Sequence, residues 1–101
     1  MNKAVQAFKD EILKVIKDKE IKFVLFGPMA KGEANGQFDI KILISTKLDY
    51  STARKRIEEI EMKMMESHHV LINSFIYTHR EMELKKADPF LRYVKEQGVA
   101  I

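Results

Sequence analysis

Residues 23–45, FVLFGPMAKGEANGQFDIKILIS, hold the side chains whose types and spacing come closest to chemistry. An apolar run ends in Gly27-Pro28, ten residues intervene, and Asp39 and Lys41 then stand two apart at the head of a second apolar run. On an extended strand, residues two apart project from one face, so Asp39 and Lys41 are predicted to share a face beside the Gly27-Pro28 turn. Two carboxylates so placed would hold a pair of metal ions roughly 3.5–4 Å apart and align the attacking and leaving oxygens of a group transfer. Successive backbone N–H groups at a turn entering a helix would cradle phosphate oxygens. Here the second position carries an ammonium, which repels magnesium instead of ligating it. Pro28 brings neither an N–H nor a hydroxyl to the turn. The plain structural readings are a strand-ending turn with proline at the first helical position, and an Asp39–Lys41 salt bridge. A lysine can also hold phosphate as a point charge.

Other chemistry-bearing residues form no recognisable constellation. His68 and His69, read as neighbours on a strand, point to opposite faces and do not jointly chelate one metal. His79 falls inside a capping box and is expected at the surface. Ser45, Ser51 and Ser74 lie in no nucleophile motif. Of the methionines at 62, 64 and 65, Met64 reads as core filling, with Met62 or Met65 turned toward an interface.

The elements that must position these residues can be read from periodicity. Val5, Phe8, Ile12, Val15 and Ile16 recur at threes and fours, predicting an amphipathic helix over 3–18. Ile21 to Phe26 reads as a strand buried on both faces, and residues 29–37 as a short helical turn and loop. Phe38 to Ser45 is the second strand, with Ile40, Ile42 and Ile44 facing one side and Asp39, Lys41 and Leu43 the other. Ala53, Ile57, Ile60 and Met64 mark a long helix over 51–66, N-capped by Asp49 or Ser51, with Glu59 and Lys63 as an outer i,i+4 pair. Val70 to Tyr77 is the third strand. Thr78-His79-Arg80-Glu81 opens a short helix through Lys86, Asp88-Pro89 opens the last helix, and Gly98 stops it before an edge strand over 99–101. The expected architecture is an α/β (α+β) domain over 1–101, a small mixed β-sheet backed by helices.

Beyond its core signature, LFGPMAKGEANGQFDIKILI resembles the nucleotidyltransferase superfamily, the DNA polymerase beta-like or minimal nucleotidyltransferase type. That pattern has Gly-Ser, a basic residue before Gly-Glu-Ala, and Asp-x-Asp on the next strand; Lys31, Gly32, Glu33, Ala34, Asp39 and Ile40 sit at matching places. INSFIYTHREMELKKADPFLRYVKEQGVAI is similar to the tail of small prokaryotic members, while residues 46–67 agree only in length and helicity. The resemblance implies a glycine-serine turn that holds a nucleoside triphosphate and three strand-borne carboxylates that bind two magnesium ions. Gly27, Pro28, Lys31 and Lys41 then become the candidate nucleotide-binding residues, and Asp39 a vestigial catalytic and weak metal-binding residue. The third carboxylate belongs on the third strand, and residues 68–77 contain no acid. Serine and two of three carboxylates are therefore replaced. The expectation is a degenerate, catalytically inactive relative that needs no cofactor and acts by protein–protein contact, as an antitoxin or regulatory subunit beside a helical partner, or as a homodimer. The rival is an active enzyme that uses magnesium and an NTP to transfer an NMP to a protein or small acceptor, its metal site completed by Glu33 or a partner. A nucleotide-sensing module lies between them.

Composition narrows the field further. A net charge of +3, from 18 basic and 15 acidic residues scattered along the chain, argues against nucleic-acid binding by bulk electrostatics. Zero cysteines exclude disulfide and thiol chemistry and suit a cytoplasmic setting. Charges throughout the N-terminal segment leave no apolar run of signal or membrane length.

Overall fold

Asn2 opens the first helix, its side-chain oxygen accepting from the N–H groups of Ala4 and Val5. Helix α1 (Lys3–Val15) buries Val5, Phe8 and Ile12, and Ile16 caps it in an extended conformation. The computed structural model describes residues 2–31 and 39–101. The helix stops three residues before the periodicity predicts, leaving Val15 on the outside and Ile16 in the core. Arg56 Nη1 meets the freed Val15 carbonyl at 2.8 Å, satisfying one acceptor that the helix end leaves open.

Strand β1 (Lys22–Phe26) pairs antiparallel with β2 (Ile40–Thr46), Phe23 opposite Ile44 and Phe26 opposite Lys41. Helix α2 (Tyr50–His68), N-capped by Asp49, carries the chain back so that β3 (Ile72–Thr78) runs parallel to β2, Lys41 beside Asn73. Two short helices follow, α3 (His79–Leu84) and α4 (Pro89–Gln97), and β4 (Val99–Ala100) adds antiparallel to β1. The mixed sheet has the order β3-β2-β1-β4. This is the α+β architecture that the periodicities predict. The short helical turn expected after Gly27 is a 3-10 turn, Pro28–Lys31, and Gly32 to Phe38 lie outside the described residues.

Both sheet faces carry helices, which is why every position of β2 except Lys41 is buried. Ile40, Ile42 and Ile44 pack under α1 and α2 with Phe8, Ile57 and Met64. Leu43 and Phe26 face the other way, under Leu91 and Val94 of α4. Phe26 meets Phe75 and Phe90 edge-on, with ring centroids 5.3 and 5.6 Å away. Each such fully buried side chain contributes about 1.5–3 kcal/mol of transfer free energy.

Strand β3 lies at the edge of the sheet, where unpaired backbone groups would invite another chain. Helix α2 closes part of that edge: Glu61 Oε2 accepts from the Ser74 N–H at 2.9 Å, and Arg54 Nη1 donates to the Ser74 carbonyl at 3.0 Å. Lys63 does not stay with Glu59 as its spacing predicts. It crosses to Glu11 of α1, which also meets Lys14 at 3.1 Å, tying the two helices together on their outer side. His68 and His69 lie on no strand: His68 ends α2, and His69 caps it in the left-handed region at φ 54°. Among the described residues, no helix is long and apolar enough to cross a membrane.

Candidate functional site

Gly27 leaves β1 at φ +79°, a conformation an L side chain adopts only at a cost, and its carbonyl accepts from Ala30 N–H at 3.1 Å to form the 3-10 turn. Pro28 stands first in that turn, where its missing N–H breaks no bond. The stem of Lys41 runs over the glycine, since a Cβ on Gly27 would lie 3.4 Å from Lys41 Cδ. Lys41 is flanked by Phe26 on β1 and Asn73 on β3. Asp39, just before β2, turns back to the same place: Asn73 Nδ2 donates to its Oδ1 at 2.8 Å, and Lys41 Nζ lies 3.8 Å from its Oδ2.

The structure therefore gathers Gly27, Asp39 and Lys41 at one end of β2 and adds Asn73. Lys31, at the close of the 3-10 turn, is exposed and takes part in no ion pair among the described residues. Asn73 is no carboxylate, so the resemblance does not mark it as a site residue. It joins the site because β3 lies parallel to β2 with Asn73 level with Lys41, a register that sequence spacing does not fix. The Asp39–Lys41 pair is long and partly solvated, with side-chain exposures of 52% and 36%, and such pairs contribute about 0–1 kcal/mol.

Magnesium requires a shell of oxygen ligands. An ionised carboxylate only accepts, so Asn73 must present its amide nitrogen to Asp39, and the other neighbour is an ammonium. That donor set does not fit a divalent cation. Glu33, the further acid weighed for this place, lies outside the described residues.

A second constellation forms at the opposite end of β2 and was not anticipated. Asp18, between α1 and β1, is 5% exposed. Its carboxylate accepts from Thr46 Oγ1 at 2.9 Å, Lys47 N–H at 2.8 Å and Glu20 N–H at 2.9 Å. Burial alone would raise its pKa, but these hydrogen bonds and the nearby His79 outweigh it and hold the carboxyl below the usual aspartate range. His79 Nε2 lies 3.3 Å from Asp18 Oδ2 without the alignment of a hydrogen bond.

His79 is thus half-buried against a carboxylate and not at the surface as its place in the capping box implied. The capping box itself sets this position: Glu81 N–H donates to Thr78 Oγ1 at 3.0 Å, and Thr78 N–H donates to Glu81 Oε1 at 2.9 Å. With the first turn of α3 so held, its first residue faces back to the loop after α1. Comparison with protein-family models, curated proteins and solved structures finds no match to this chain.

Proposed function

We propose that this chain is a nucleotidyltransferase-type scaffold that has lost metal-dependent transfer and works by protein–protein contact, as an antitoxin-like or regulatory subunit. The observation that carries the first half is the state of Asp39: each of its carboxylate oxygens faces a nitrogen donor, Asn73 Nδ2 and Lys41 Nζ, where the chemistry needs further acids. A proline-led 3-10 turn in place of a donor-rich phosphate cradle supports the same reading. The second half rests on exposed apolar side chains: on α2, Met62 and Met65 are 65% and 43% exposed, and their flexible thioethers suit an adaptable contact with a helical partner.

Incubation with labelled ATP, GTP, CTP or UTP, magnesium or manganese, and a lysate of candidate acceptors should give no incorporation. Incorporation abolished by Asp39→Ala would overturn the inactive reading. Assembly with the native partner, followed by sedimentation, should be disturbed by Met65→Asp and untouched by Asp39→Ala. The reverse pattern would place the function at the old catalytic end of β2.

A further inference from the structure

The sheet face turned away from α1 and α2 is only partly covered. Between α3 and α4, over the far ends of β1 and β2, lies a cavity of about 1020 Å³. Its floor is apolar, formed by Val24, Leu43, Leu91 and Val94. One hydroxyl interrupts that floor: Ser45, 4% exposed, lines the cavity. The walls carry Lys19, Lys22, Lys86, Arg92 and Lys95, against Glu20 and Glu83 as the acids. Glu83 is engaged by Lys86 at 3.3 Å. Lys19, Lys22, Arg92 and Lys95 take part in no ion pair among the described residues.

These cations come from segments far apart in the chain, the loop after α1, the start of β1, the turn after α3 and one side of α4, and they converge on one concavity. A solvated charged face on a single helix would not have that arrangement. Apolar walls lower the local dielectric and focus the field of a rim in which cations outnumber acids. Concave, mostly apolar sites with a few convergent polar groups are the usual form of small-molecule pockets. The cavity does not include Gly27, Asp39 or Lys41: of the β2 side chains it takes Leu43 and Ser45.

We propose that this cavity binds a small amphiphilic anion, an organic molecule with an apolar body and a carboxylate or phosphate head. The apolar body lies on Leu43 and Val24, and the head meets Lys22, Arg92 and Lys95, with the hydroxyl of Ser45, which pairs with Lys22 across the strands, available to an oxygen of the head. Binding here is independent of whether the chain transfers nucleotides or holds a protein partner.

The test is a titration of isotope-labelled protein, followed by amide NMR shifts, with octyl phosphate, octanoate and inorganic phosphate. Both amphiphiles should shift the amides of Val24, Leu43, Ser45 and Gly98, and inorganic phosphate alone should bind at least about tenfold more weakly, lacking the apolar contact. Which amphiphile binds more tightly distinguishes a phosphate ester from a carboxylate as the natural ligand class. The paired substitution Lys22→Glu and Arg92→Glu should weaken binding by about tenfold or more. The pair Lys3→Glu and Lys55→Glu, exposed on α1 and α2 and outside the cavity, serves as the matched charge control. Shifts scattered over the surface, shifts centred on Met62 and Met65, or equal weakening by the control would each overturn the proposal. A dispersed spectrum for the paired variant shows that it has folded; if it has not, Ser45→Leu, which fills the floor without touching the rim, should abolish the same shifts.

Discussion

Replacing Asp18 by alanine tests the most demanding part of this structure. The side chain is buried and accepts three hydrogen bonds, from Thr46 Oγ1, Lys47 N–H and Glu20 N–H. Alanine removes both acceptor oxygens, and with them all three hydrogen bonds, and leaves the fully buried Thr46 hydroxyl without its carboxylate. An orphaned buried donor costs about 1–3 kcal/mol, and the two part-buried N–H groups recover some of their loss from water, so the expected destabilisation is about 3–4 kcal/mol. Against a total stability of about 5–15 kcal/mol, that is a large fraction. Urea unfolding followed by circular dichroism at pH 7 reads it directly. Asp18→Asn separates charge from shape, because its amide nitrogen must point at one of the same donors. The folded pKa of Asp18 lies below its unfolded value, so its contribution is fully present above the unfolded value, about 4, and is lost as pH falls through the lower folded value. The parent protein should therefore lose stability below about pH 4 more steeply than Asp18→Asn does. An alanine variant within about 1 kcal/mol of the parent at pH 7, or an asparagine variant whose acid limb runs parallel to the parent's, would refute this account of the network.

Gly98→Ala should destabilise by about 1–3 kcal/mol in the same urea assay, because a Cβ there would stand 2.4 Å from Val24 Cγ1 and 2.5 Å from the Val94 carbonyl oxygen. Gly27→Ala should cost about 1 kcal/mol from its positive φ, and a loss near zero would mean the turn relaxes freely. Glu61→Ala should raise concentration-dependent association, read by light scattering, since it frees the Ser74 N–H on the outer edge of β3; an unchanged monomer–oligomer balance would show that the edge needs no guard.

Much of the fold was legible because its signals are local. Asp49, the Thr78–Glu81 box and the Asp88-Pro89 pair each cap a helix through partners two or three residues away, and sequence spacing alone identifies such contacts. The period of two in Ile40, Ile42 and Ile44 and the helical spacing of Ile57, Ile60 and Met64 name the core faces for the same reason. Gly98 shows the limit of local reading: the last helix does stop there, but at φ −85° the glycine is needed for its closeness to β1, not for a left-handed cap. At the candidate site, spacing indicated that Asp39 and Lys41 could meet, yet not that Asn73 would complete the cluster, because that depends on β3 lying parallel to β2 in one register. Asp18, Thr46 and His79 meet only once α1 ends early and α3 starts where its cap puts it, and the basic cavity exists only between elements drawn from both ends of the chain. The sequence by itself determined the elements, their caps and their buried faces, since these follow from backbone periodicity and contacts a few residues apart. Tertiary packing alone decided which polar groups from distant segments face one another, because distance along the chain carries no information about distance across the sheet.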